Sequence, residues 1–240
     1  DDAPIIWRGP MLHGALQQAI RGHCPVICFP GDAGTPDAVF PNNVFATAPG
    51  ASIIGHMRHP VRQREAQRMD IRRFFTDAMA YREVDLSRQA GICELTGSLI
   101  IDRARGIGYC GLSERCDESG ALAMTAAFNL KACLVFDLAA DEYHTNVVLS
   151  VLASRAVVVA PSGFRNAAVP EAIAGFYGGR AIRLSETQKG EYAGNCIALT
   201  DNCVFLSQRA LESLDCAQHA QFTDYGFELK PVALPMLERA

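Results

Sequence analysis

The sequence predicts an α/β protein of five ββαβ units set around an axis as a propeller, and three observations predict it. Strand, strand, helix and return strand recur in one order. Successive copies begin about 50 residues apart, at Ser98, Asn146 and Asn195. No copy could bury its own apolar face alone, so the copies must pack on one another. A plain alternation of helices and strands is the simpler reading, and the threefold return of hairpin, helix and return strand favours the array.

The clearest copy starts at Ser98. Ser98 to Ile101 reads as a strand, Asp102 to Gly106 as a turn, and Ile107 to Cys110 as the second strand. A helix is expected from Cys116 to Leu130, with Leu122, Ala126 and Leu130 on one face, and a return strand from Ala132 to Phe136. The next copy has strands Val147 to Val151 and Ala156 to Ala160 around Ala153-Ser154. Its helix, Asn166 to Tyr177, is stopped by Gly178-Gly179, and its return strand is Ala181 to Leu184. The following copy has strands Cys196 to Leu199 and Cys203 to Leu206 joined by a tight Asp201-Asn202 turn. Its helix, Gln208 to Ala217, can be capped by Ser207.

Upstream the pattern is weaker. Val44-Phe45 and Ser52 to Ile54 read as strands, Val61 to Met79 as one long helix and Glu83-Val84 as a return strand. Before them stand a helix, Met11 to Arg21, and a strand, Val26 to Phe29. The expectation is a single catalytic domain over residues 1–240, incomplete at both ends: the first unit lacks its hairpin and the chain stops soon after the last.

Of 240 residues, 49% are hydrophobic and 20% charged, and the net charge is −4. Without a run of Lys or Arg, that balance argues against nucleic acid or an anionic membrane as partner. Nine cysteines without a repeated spacing suggest reduced thiols rather than a disulfide framework. Cys24 and Cys28 flank an apolar Pro-Val-Ile stretch that should bury both. His56 and His59 form the one close histidine pair and lack further ligands, so no metal is expected. The start, Asp1 to Pro4, is no signal peptide, and the longest apolar run, Val157 to Pro161, cannot span a bilayer. A cytoplasmic location is the expectation.

If the units are related by rotation, the starts of their first strands converge on the axis, where loops build sites. Those positions hold Asn42 and Asn43, Glu94, His144 and Asn146, and Asn195. Each alone is an ordinary strand entrance. Their equivalent placement gives a His and a carboxylate that could move protons at one reacting carbon.

Four segments, Asp37-Ala-Val-Phe40-Pro-Asn42-Asn43, Glu94-Leu-Thr-Gly97-Ser98, Gly111-Leu-Ser-Glu-Arg115 and Tyr143-His144-Thr-Asn146, come in the order found in the guanidino-group-modifying penteins. From residue 25 onward the chain resembles that superfamily of arginine deiminases, dimethylarginine hydrolases and glycine amidinotransferases. It is most similar to the deiminase-related group named for citrulline utilisation, although Val44 replaces a Trp of that motif. The resemblance implies Cys-dependent hydrolysis of a ureido or guanidino C–N bond, without metal or organic cofactor. It makes His144 the general acid/base and Glu94 its orienting carboxylate. Asp37, Phe40, Asn42, Asn43 and Asn146 become pocket residues, and Arg115 the partner of a substrate carboxylate; pairing of Arg115 with Glu114, Asp117 or Glu118 is the alternative. The implied partner is a small guanidino or ureido amino acid, with a homodimer left open.

Two departures bear on that reading. The nucleophilic cysteine of such proteins follows a segment like Leu237 to Ala240, and none of the nine cysteines stands there, so it is expected just beyond Ala240. Cys196 and Cys203 fall on expected strands and Cys216 on the last helix, where packing roles are expected. Asn43 and Asn146 stand where deiminases carry aspartates, which suits a neutral ureido group better than a cation. The rival readings are an amidinotransferase and a pentein kept only as a binding scaffold.

Overall fold

The densest β-branched run in the chain, Ala156–Val159, is buried at all four positions and forms the middle strand of a three-stranded sheet. Such a sheet occurs four times among residues 9–32 and 34–234, which the computed structural model describes. In each, the first strand pairs antiparallel with the second, and the second pairs parallel with the third across a helical crossover.

The first described element is α1 (Gly9–Arg21). The first sheet then follows as β1 (Phe45–Ala48), β2 (Ala51–Ile54), α2 (Pro60–Gln63), α3 (Met69–Arg73) and β3 (Arg82–Asp85). The second unit is α4 (Leu95–Ser98), β4 (Leu99–Asp102), β5 (Ile107–Leu112), α5 (Glu118–Ala127) and β6 (Ala132–Asp137). The third is α6 (Thr145–Val148), β7 (Leu149–Leu152), β8 (Ala156–Val159), α7 (Ala168–Phe176) and β9 (Ala181–Arg183). The fourth is α8 (Glu186–Gly190), β10 (Ile197–Ala198), β11 (Cys203–Ser207), α9 (Gln208–Ser213), α10 (Cys216–Asp224) and β12 (Glu228–Val232).

First strands are neighbours from unit to unit: β4 lies against β7, and β7 against β10. The main apolar core runs across these seams, from Tyr109 and Phe136 through Leu149 and Val157 to Val204 and Phe222. Leu16 and Ala19 of α1 pack on Cys203, Phe205 and Val232 of the fourth sheet. The rotational order read from the sequence is therefore present, with four of the five expected units as complete sheets. Among the described residues no helix is long and apolar enough to cross a membrane. The segment Leu237 to Ala240 lies outside the described residues.

Several elements differ from expectation for physical reasons. Val26 to Phe29 forms no strand; Pro25 and Pro30 bracket it, and it carries no ladder partner among the described residues. Cys28 is accordingly exposed and Cys24 half-buried, not both buried. The expected long helix over Val61 to Met79 is broken into α2, a 3₁₀ turn (Glu65–Gln67), α3 and a π turn (Phe74–Ala78). Arg62, Glu65 and Ala66 are buried together there, one inward face in a stretch expected to be a surface helix.

Helix α5 buries Ala121, Met124 and then Phe128, while Leu122 is 70% exposed and Ala126 also faces solvent. Gly120 sets that rotation, since a Cβ there would collide with the carbonyl of Ile92. Val147 and Val148 belong to the helical turn α6, and strand β7 starts only at Leu149. Gln208 to Ala217 is two helices: Ser207 caps α9, as expected, and Asp215 opens α10 with a reciprocal capping box. Cys196 precedes β10 rather than lying in it, and Cys216 is exposed at the start of α10, not packed. The turn before β11 spans Leu199 to Asn202 and is closed by the Leu199 amide on the Cys203 carbonyl, 3.1 Å.

Candidate active site

Each first strand is entered through a short helical turn, and these turns meet: α4 lies against α6 and against the 3₁₀ turn Pro41–Asn43. Glu94 stands immediately before α4 and His144 immediately before α6, equivalent places in adjacent units. Fifty positions apart in sequence, they are in contact, with His144 Nε2 2.8 Å from Glu94 Oε2. Glu94 is fully buried and His144 is 5% exposed.

Glu94 Oε1 accepts the Arg58 amide at 3.1 Å, and Arg115 Nη1 lies 3.3 and 3.4 Å from the two carboxylate oxygens. Burial pushes the Glu94 carboxyl upward. The hydrogen bond and charge of His144, the Arg58 amide and the Arg115 guanidinium outweigh it, holding the group below the usual glutamate range. The ionised carboxylate fixes the orientation of the imidazole through the 2.8 Å contact.

The surrounding backbone is built for this contact. A Cβ at Gly97 would strike Asn43 Oδ1 and lie 3.0 Å from the His144 ring, so only glycine lets the three segments close up. Asn42 donates to Asn43 Oδ1 at 3.0 Å, and Thr96 Oγ1 donates to the Asn42 carbonyl at 3.0 Å. Thr145 Oγ1 accepts the Gly111 amide at 2.8 Å and donates to the Ser98 carbonyl at 2.6 Å, tying α6 to the second unit. Ser113 Oγ donates to the Tyr143 carbonyl at 2.7 Å, and the Tyr143 ring sits 4.9 Å from that of His144.

The structure thus gathers Glu94, His144, Arg115, Asn42 and Asn43. Arg115 is engaged by Glu114 at 3.0 Å as well as by Glu94, and Tyr143 lies under its guanidinium at 5.8 Å. Asp117 does not pair with it, being occupied as the cap of α5. Asp37 and Phe40 stand half-buried on or beside the 3₁₀ turn Pro36–Val39, five and two residues before Asn42. Asn146 is half-buried in α6, and Asn195 is exposed beyond Gly194.

Sequence reasoning missed the Arg58 amide, Thr145, and the buried pair Arg62 and Glu65 behind the Asp37 turn. The last had one usable signal, an Arg and a Glu three positions apart.

No hydrogen bond of Glu94 or His144 among the described residues involves a thiol. Burial raises Cys93 to about 11 and Cys196 to about 12, while its bond to Cys116, then burial, raises Cys110. Such thiols stay protonated and unreactive. Among the described residues no group of three His, Cys, Asp or Glu side chains could hold a metal. A groove of about 560 Å³ beside β6, lined by Val135, Phe136, Asp137 and Arg165 among others, shares none of the site residues.

Repeated ββαβ units joined through their first strands, with the family match over most of the chain, make this a guanidino-group-modifying pentein. Within that class the chain belongs to the N,N-dimethylarginine dimethylhydrolase family, whose eukaryotic family model matches residues 12–240. No curated protein matches it. Among solved structures, the N-terminal domain of ArgZ, an arginine dihydrolase from the ornithine-ammonia cycle in cyanobacteria, is similar with a TM-score of 0.82 at 17% identity, covering 95% of this chain and 81% of that one. AgrE, solved as a mutant with L-arginine, gives a TM-score of 0.82 at 18% identity, over 95% of this chain and 33% of its own. A dimethylarginine dimethylaminohydrolase, solved as an adduct with 4-chloro-2-hydroxymethylpyridine, gives 0.70 at 18% identity, over 94% and 84%. These likenesses bear out the α/β-propeller fold.

Proposed function

We propose that the protein hydrolyses a C–N bond of a small guanidino or ureido amino acid through a covalent cysteine adduct. The observation that carries the reading is the 2.8 Å contact between buried Glu94 and His144. A thiolate attacks the central carbon, and His144 gives a proton to the departing nitrogen as the C–N bond breaks. His144 then takes a proton from the water that attacks the adduct carbon, and the C–S bond breaks to release the product and restore the thiolate. Glu94 holds the imidazole throughout. The nucleophile is assigned to a residue outside 1–240, because none of the nine cysteines, whether buried like Cys93 and Cys196 or exposed like Cys28 and Cys216, hydrogen-bonds Glu94 or His144.

Asp37, Phe40, Asn42, Asn43 and Asn146 are assigned to the pocket, and Arg115 to the substrate carboxylate, which would draw it from Glu114 and Glu94. The amides of Asn43 and Asn146 offer both donor and acceptor without charge, so a ureido group is accepted at least as readily as a guanidinium. Support comes from relatives: the ArgZ domain is known bound to substrate and, with an Asn-to-Ser change, covalently bound to a reaction intermediate. A reducing compartment, the cytoplasm, fits the free cysteines.

The test uses full-length protein with L-citrulline, L-arginine and Nω,Nω-dimethyl-L-arginine, following released amine or ammonia and the amino-acid product. Hydrolysis is expected, with kcat/KM for citrulline no lower than for arginine and a cysteine adduct visible by mass spectrometry. Failure to turn over all three would sink the reading, and a wide preference for arginine would sink its ureido part.

A further inference from the structure

His144 is delivered by a stretch with little regular structure of its own. Leu138 is bridged to Phe164 and α6 begins only at Thr145, so Glu142, Tyr143 and His144 belong to no helix or strand. One turn bond, from the Glu142 amide to the Ala139 carbonyl at 3.0 Å, closes the stretch on itself. From the second unit, Ser113 Oγ holds the Tyr143 carbonyl at 2.7 Å. From the fourth unit comes another hold, which the reaction above leaves unused: the ammonium of Lys189 pairs with the carboxylate of Glu142.

Both side chains are almost closed off from water, Lys189 at 8% exposed and Glu142 at 6%. Glu186 at 2.8 Å and Asp141 at 3.7 Å also face the ammonium, and both are largely exposed. Burial works against the Lys189 charge, but the bonds to Glu142 and Glu186 outweigh it and lift the group above the ordinary lysine value. The helical turn that carries Lys189 is a firm support. Ser185 and Gln188 close a reciprocal capping box at the start of α8. Buried Gln188 then donates to the Ser213 carbonyl at 2.9 Å and to Gln218 Oε1 at 2.6 Å, which ties α8 to α9 and α10.

A buried ion pair serves stability no better than an apolar pair of similar size. What this pair adds is a fixed place for Glu142, two positions before His144. We infer that Lys189, acting through Glu142, is a positioning residue that holds the His144 segment from the fourth unit and so sets the turnover rate. The inference rests on the reading of His144 as the proton carrier.

The test is made on full-length enzyme carrying Lys189→Met together with Glu142→Leu, which removes both buried charges and leaves neither without its partner. The kcat per folded active site is expected to fall by about tenfold to a hundredfold, the scale on which small misplacements of a catalytic group are felt. KM should stay within about twofold, the pattern of a loss felt in the transition state alone. Amide hydrogen exchange at residues 142–146 should quicken while β8 keeps its protection. If that pair of changes does not fold, Glu142→Gln decides: it drops the charge but keeps an acceptor for the ammonium, and the same losses should appear in smaller measure. Unchanged kcat in a folded variant overturns the inference, even where the denaturant midpoint falls, since the pair would then only staple two units together. A rise in KM without loss of kcat overturns it too. If wild-type enzyme turns over no substrate, the proposed function has failed instead, and exchange at residues 142–146 alone judges whether Lys189 holds the segment.

Discussion

Glu94 has no access to water, and its charge is kept only by what surrounds it. Because its carboxyl lies below the ordinary value, the unfolded chain takes up a proton at pH values where the folded one does not. The stability this contributes is complete above about pH 4.3, the unperturbed glutamate value, and is lost as pH falls through the lower folded value. Wild-type protein should therefore weaken in acid below about pH 4. Glu94→Gln should flatten that acid limb, as denaturant midpoints measured against pH will read. The same substitution keeps a hydrogen-bonding shape beside His144 but removes the anion that orients its ring. Activity of the full-length enzyme is expected to fall by about 10²–10⁴, the range of general acid–base catalysis. A Gln variant as active as wild type would remove Glu94 from the mechanism.

At the scale of elements, Asp117 joins two of them. Its Oδ1 accepts the Gly120 amide at 2.8 Å, capping α5, and its Oδ2 accepts the Ile92 amide at 2.9 Å, on the segment that delivers Glu94. Asp117→Ala should lower stability by about 2 kcal/mol, a lost cap plus an amide left without its acceptor. Asp117→Asn should recover part of that in the same denaturant titration; equal loss in both would show that the acceptor oxygens are not what matters. The cap of α9 was legible because Ser207 directly precedes a helical pattern, whereas Asp117 sits inside the span read as helix from Cys116. Middle strands were legible because runs such as Ala156–Val159 are β-branched and bounded by turns. The turns α4 and α6 were not, since an apolar run such as Val147 to Val151 has no period that separates one helical turn from a strand. Strand β12 escaped notice because Pro231 discourages a strand reading, yet it is tolerated on the outer strand of its sheet. Glu94 and His144 were legible from their equal places in successive units. Asp37 and Phe40 were legible only through resemblance, and Arg62 and Glu65 were hidden because charges on an expected helix read as surface.

Across the whole molecule the second and third units are joined at both ends of their first strands, and only one end is chemical. At the site end, α4 and α6 bring Glu94 to His144. At the other end, fully buried Asp102 closes β4 and gathers Arg105 of its own hairpin at 2.8 Å, Tyr177 of the third unit at 2.7 Å, and Ser154 of the third unit's hairpin turn. Tyr109 adds its hydroxyl to that of Tyr177 at 3.2 Å. Burial raises the Asp102 carboxyl, but Ser154, Tyr177 and Arg105 overcome this and hold it low; burial, with Tyr109 and Asp102, pushes the Tyr177 hydroxyl up. The seam therefore keeps one protonation state through neutral and mildly alkaline pH. Tyr177→Phe removes one donor to a buried carboxylate and should cost about 1–3 kcal/mol, read as a lowered denaturant midpoint at unchanged slope. Repeated units transmit such a loss mainly to their neighbours, so hydrogen exchange should quicken at β4 and β7 more than at β11. Asp102 lies a strand's length, about 10 Å, beyond the turn that holds Glu94, so the kcat/KM of the full-length variant should stay within about twofold of wild type, as for sites that do not share partners. A large loss of kcat/KM in a folded Tyr177→Phe protein would mean that the far seam sets the geometry of the site, and that the two ends of the strands are not independent.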